Sequence, residues 1–277
     1  MPACPIRPET IHPSLWRAAQ LARGGAACVD TGHAALSAEL PGGGWPVGSL
    51  TELLLPQPGL GELRLLLPVL RQLTPSGQAR AARRSVLLIR PPHVLQPLAL
   101  NWWGVDPGGI VVLRAVCQAD ACWAAEQALQ AGTCRLVLLW SDVGLPSAAK
   151  GRRCSLDAGA GARRGNARSD AGAAIRPGAL RRLNLAAQAG SALFFMFRPS
   201  CDADQPSPAP LRLALTPACG GVQVAFIKRR GPRRDDPLFV SLAPSPVLLD
   251  HHVRLDRRIP ALDPVAAHRL RAPALHA

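Results

Sequence analysis

From Leu50 to Leu73 the chain gives an apolar run of strand length, a loop rich in Pro and Gly, and a segment with leucines on one helical face. A strand that feeds directly into a helix must pack that helix back onto its own sheet, which restricts the chain to layered α/β folds. The alternation continues downstream. Ser85 to Ile89, Ile110 to Leu113 and Arg135 to Trp140 read as further strands, with Val94 to Trp103 and Ala119 to Ala131 as helices, the latter closed by Gly132. Helix Gly178 to Ala189 and strand Ala192 to Phe197, separated by Gly190, add another unit. The expected fold class is therefore α/β, a mainly parallel sheet flanked by helices. Leu211 to Leu215 and Val222 to Ile227, joined through Thr216 to Gly221, read instead as an antiparallel hairpin at its end, with Leu238 to Leu242 as an added edge strand.

The loop after the first of these strands has the layout of a phosphate-binding loop but not its chemistry. G-x-x-x-x-G-K-[S/T] works because bare backbone N–H groups cradle the phosphates, the lysine neutralises them and the hydroxyl holds magnesium. Here Gly61 takes the second glycine place, and Pro56, which has no N–H, takes the first. Glu62 stands for the lysine and Leu63 for the hydroxyl, so a triphosphate would meet repulsion. Shifting by one residue, to Leu60 and Gly61, supplies neither cation nor hydroxyl. No bound nucleotide, cofactor or metal is expected, and the loop reads as structural.

A chain of 277 residues can bury a substantial core, and three parts are expected. Residues 1–30 hold an amphipathic helix, Pro13 to Ala22, on which Leu15, Trp16, Ala19 and Ala22 recur at helical spacing. Residues 31–242 form the core, interrupted over 146–176 by a segment of Ser, Ala, Gly and Arg expected to be disordered. Residues 243–277 read as a flexible tail. No apolar run reaches the roughly 18 residues of a membrane span, and the N-terminus lacks a secretory pattern, so a cytoplasmic protein is expected. The eight cysteines form no C-x-x-C pair and no zinc-ligand cluster, and read as small buried hydrophobes.

Thirty-two Lys and Arg against eighteen acids give a formal charge of +14. Such a field favours polyanions or an acidic protein face, although a base composition that enriches Arg, Ala, Gly and Pro produces the same excess. The clusters are more informative than the total. The densest, Lys228, Arg229, Arg230, Arg233 and Arg234, follows the hairpin, and reversing the charge of Arg229 and Arg230 is expected to leave stability nearly unchanged. Lys150, Arg152, Arg153, Arg163, Arg164 and Arg168 belong either to an electrostatic arm or to a solvated insertion. Trp102 and Trp103 could stack nucleobases or divide between core and surface. His93 could act as a base, but no nucleophile with an orienting carboxylate can be assigned to it, and no catalytic residue is expected.

Thr31-Gly32, Leu36, Leu40, Gly42-Gly43-Gly44, Pro46, Gly48, Leu50 and Glu52 follow the order and spacing of the entrance to the RecA core, where T-G-x-x-x-L leads through G-G-x-P-x-G to the first strand. Gly104-Val105-Asp106 before the third strand is also similar, and the likeness spans about Thr31 to Leu242. More closely, IHPSLWRAAQLA, DTGHAALSAELPGGGWPVGSLTELL, ALQAG, RRLNLAAQAG and SPAPLRLAL resemble the ImuA family, degenerate RecA-like and SulA-related accessory proteins of bacterial translesion synthesis. The 146–176 insertion departs from that family's pattern.

The resemblance implies a RecA-like fold and locates two more losses. Where the RecA pattern has its catalytic glutamate, this chain has Arg90-Pro91-Pro92-His93, and where it has the magnesium aspartate, this chain has Trp140. Asp142 lies two residues on, without a lysine or hydroxyl to work with. The implied function is a nonenzymatic adaptor of SOS-induced mutagenesis, recruited to the nucleoid on DNA damage. Its partners would be an ImuB-like protein, a DnaE-type error-prone polymerase and RecA, with any DNA contact indirect. Trp16 and the cations of the 228–234 cluster are the contact candidates. The alternative it implies is a SulA-type division inhibitor that binds FtsZ.

Overall fold

A computed structural model describes residues 27–74, 85–141, 175–231 and 234–242. The predicted Trp16 helix, Asp142, most of the insertion, Arg233 and the C-terminal segment lie outside the described residues. The chain divides into two compact units between Ser241 and Leu242, and the fold below is that of the first.

Eight strands form one sheet: β3 (Leu50–Leu55), β4 (Ser85–Ile89), β5 (Ile110–Leu113), β6 (Cys134–Trp140), β7 (Leu193–Pro199), β8 (Leu211–Ala218), β9 (Gly221–Lys228) and β10 (Leu238–Ser241). Their order is β10-β9-β8-β3-β7-β6-β4-β5, parallel from β8 to β5 and antiparallel where β8, β9 and β10 meet. A second, two-stranded sheet pairs β1 (Cys28–Val29) with β2 (Trp45–Pro46). The helices are α1 (Ala34–Glu39), α2 (Glu62–Leu65), α3 (Leu67–Leu73), α4 (Pro97–Trp102), α5 (Gln118–Ala131) and α6 (Pro177–Gln188). The result is the expected mixed α/β architecture, mostly parallel and flanked by helices. Among the described residues no helix is long and apolar enough to cross a membrane.

Alternation along each strand sends side chains to two layers. On one, Leu50, Phe194, Met196, Val137 and Leu139 pack with Ala121, Ala125 and Leu129 of α5 and Leu180, Leu183 and Ala187 of α6. Asn184 of α6 uses its side-chain oxygen to accept the Leu50 N–H at 3.2 Å, which fixes the start of β3. On the other, Trp45 meets Phe195 edge-on with centroids 5.0 Å apart, and Trp140 stacks on Phe197 at 4.4 Å.

Several predicted boundaries move, each for a backbone reason. The helix expected over Gly61 to Leu73 is broken at Leu66, because Pro68 has no N–H for the carbonyl four residues before it. Its buried apolar residues are Leu65, Leu66, Leu67, Val69, Leu70 and Leu73, while Leu63 is only half-buried. The helix expected from Val94 starts at Pro97, since Gln96 precedes a proline and stays extended. The hairpin strands run further than expected, to a two-residue turn at Cys219 and Gly220. Ile175, expected in the disordered insertion, is buried in the core. Cys122 and Cys134 are buried as expected, but Cys201 and Cys219 are exposed.

The Thr31-Gly32 pair has a clear structural use. Gly32 adopts φ +74°, and a Cβ there would stand 2.2 Å from the Pro68 ring, so neither its conformation nor its packing admits a side chain. Thr31 is buried, and its hydroxyl lies 2.7 Å from Ser37 Oγ and accepts the His33 N–H at 3.0 Å, which anchors the start of α1.

Glu52, in the middle of the apolar β3, is wholly buried, as is Arg198 of β7. Glu52 accepts from Arg198 Nη1 at 3.2 Å and from Arg212 Nε of β8 at 2.8 Å, and also from Ser207. Arg198 donates onward to Asp202 at 2.9 Å and to Gln205 at 3.0 Å. Arg212 also donates to the carbonyls of Asp202 and Ala203, both at 2.9 Å. Two positive and two negative charges balance. Replacing Arg198 with Met should lower stability by about 3–5 kcal/mol in urea denaturation, because Glu52 and Asp202 stay buried without their shared partner; a loss below about 1 kcal/mol would show the network to be dispensable.

Candidate functional site

In open α/β sheets, ligand crevices form beyond the carboxyl ends of the parallel strands. Here β3, β4 and β6 end on a common cleft of about 280 Å³. Each strand is followed by a segment that shapes it.

After β3 the loop turns through Gly59 (φ +85°) and Gly61 (φ +108°), the second of which caps α2. The carboxylate of Glu62 folds back into this loop. Its oxygens accept the Gly59 N–H at 2.9 and 3.1 Å and the Gly61 N–H at 3.2 Å, and the residue is 3% exposed. Backbone N–H groups of this kind are the ones that bind anions in phosphate loops. In this chain they already hold an anion of the chain's own. Glu62 thus takes up two of the loop's backbone donors itself. Pro56 is exposed at the start of the loop, and Leu63 lines the cleft.

After β4 comes Arg90, whose φ of 55° is the one positive value among described non-glycine residues. Its N–H bonds the Leu113 carbonyl at 2.8 Å, and its guanidinium reaches Gln118 on α5. Pro91, Pro92 and His93 then line the cleft, with His93 lying over Gly59. At the end of β6, Trp140 lines the cleft where the resemblance puts a magnesium aspartate. Its indole N–H is buried and has no acceptor among the described residues. Trp103 forms part of the wall, with the Arg64 guanidinium 5.5 Å from its ring centroid. The lining is mostly apolar, and Glu62 is its one carboxylate among the described residues.

No protein-family model and no curated protein matches the chain. Among solved structures, the crystal structure of SulA from Pseudomonas aeruginosa is similar at 26% identity and a TM-score of 0.32, covering 54% of this chain and 97% of that one.

The cations after the hairpin do not form one free patch. Arg229 has a side chain only 8% exposed, donates to Glu39 Oε2 at 2.8 Å and stacks over Phe226 at 4.7 Å. Arg234 also bridges to Glu39, and that arginine pair holds the Glu39 carboxyl below its ordinary pKa, chiefly through the Arg229 hydrogen bond. Lys228 donates to the Ser207 carbonyl at 2.9 Å, whereas Arg230 is exposed beside a second cleft lined by Pro46, Gly48 and Pro210. The expectation that Arg229 and Arg230 are equivalent surface charges is thus corrected: Arg229 ties the end of β9 to α1. The signal that could have separated them was Glu39, closing a helix otherwise built of Ala, Leu and Ser.

Two outcomes follow. Arg229→Ala should destabilise by about 1–3 kcal/mol while Arg230→Ala stays within about 0.5 kcal/mol, and equal effects in thermal melts would refute the distinction. Glu62→Ala should make the Gly59 and Gly61 amides exchange with solvent faster and cost about 1–3 kcal/mol, with unchanged exchange at both glycines as the contrary result.

Proposed function

We propose that this chain is a nonenzymatic accessory protein of the ImuA type, a RecA-like core that acts by protein–protein contact in SOS-induced translesion synthesis. The observation that carries the reading is the Glu62 carboxylate seated on the Gly59 and Gly61 amides, where a nucleotide-driven core needs them free. By the resemblance to the RecA pattern, Trp140 and Pro91-Pro92 fall where hydrolysis would require a magnesium ligand and a base, and all three line the mostly apolar cleft. The long runs resembling the ImuA family, among them DTGHAALSAELPGGGWPVGSLTELL, support the choice of pathway. In this reading the protein positions an ImuB-like protein and a DnaE-type error-prone polymerase, with RecA as a further partner, on damaged DNA in the bacterial cytoplasm, and turns over no ATP.

Deleting the gene in its host should abolish most ultraviolet-induced mutation while leaving cell division normal, and re-expression should restore it. Unchanged induced mutagenesis, or micromolar ATP binding with turnover by the purified protein, would overturn the proposal.

A further inference from the structure

We propose that the cleft at the ends of β3, β4 and β6 is the docking site for a linear peptide of a partner protein, which inserts one bulky apolar side chain and carries acidic residues beside it. This names a surface for the adaptor reading above and rests on it.

Three observations converge. The loop amides that would attract a phosphate are taken by Glu62, so the cleft does not select an anion at that point. Its walls include Leu67, Pro91, Val94, Leu100 and Trp103, which favour an apolar occupant. At about 280 Å³ it sits at the low end for small-molecule pockets and suits a single anchoring side chain.

Next, Val94 of the lining is 71% exposed, so the apolar surface continues to the mouth of the cleft. Last, Arg64 is exposed on the lining, and the one carboxylate there is committed to its own loop. An acidic residue beside the anchor meets an unopposed cation.

The test is selection of random displayed peptides on the immobilised full-length chain. Enriched peptides should share Phe, Leu or Trp next to Asp or Glu. Ala99 is exposed at the mouth, so Ala99→Trp fills the cleft without entering the core. It should weaken the selected peptides about tenfold or more, and Gln96→Trp at the same mouth serves if that variant melts early. Arg64→Glu should weaken acid-flanked peptides several-fold at low salt and less at high salt. Peptides that bind both filled variants as well as the native chain, or enrichment without an apolar anchor, would overturn the inference. So would a short labelled oligothymidylate that loses binding on Ala99→Trp when no peptide does, since the cleft would then read nucleobases. None of these results bears on induced mutagenesis, so the adaptor reading stands or falls separately.

Discussion

The sheet is organised around a carboxylate that has no access to water. Glu52 sits in the third position of the central strand β3, flanked on each side by a strand that brings an arginine to it, Arg198 from β7 and Arg212 from β8. A charge in that position is tolerated only when its partners are fixed, because leaving any of them unpaired in a low-dielectric core costs several kcal/mol. The network therefore sets register. A one-residue slip of β7 or β8 would turn its arginine to the opposite face and strand Glu52. The position of β3, and with it the loop that follows, depends on this arrangement.

The same economy of charge appears at the strand ends. Glu62 is buried beside the glycine amides of its own loop, and its carboxylate satisfies them. The loop after β3 is thereby held by an interaction internal to the chain. Around it, Trp140 stacks on Phe197, Pro91 and Pro92 follow β4, and the crevice they share is mostly apolar.

Much of the fold was legible from local pattern. Leu50–Leu55, Ser85–Ile89 and Ile110–Leu113 are strands with the predicted limits, since short, mostly apolar runs rich in leucine and β-branched residues, bounded by Ser, Pro, Gly or Arg, leave little choice. The misplaced helix limits trace to Pro68 and Pro97, which act on the carbonyls and backbone that precede them. At the candidate site, the sequence marked Pro56, Gly61, Glu62, Leu63 and Trp140 as the wrong residues for a nucleotide, but not what they do instead. That Glu62 turns inward, that Arg90 turns to Gln118, and that Arg229 is held by Glu39 depend on side-chain partners distant in sequence or on loop conformation.

The sequence by itself determined the alternation of strands and helices and the antiparallel end of the sheet. These follow from hydrophobic period and turn chemistry. Only the tertiary structure decided which charges are structural. A glutamate inside an apolar strand and an arginine in a basic run look the same in a sequence whether they face water or each other. Burial separates them, because an ion removed from water keeps its charge only where another part of the chain supplies its partner.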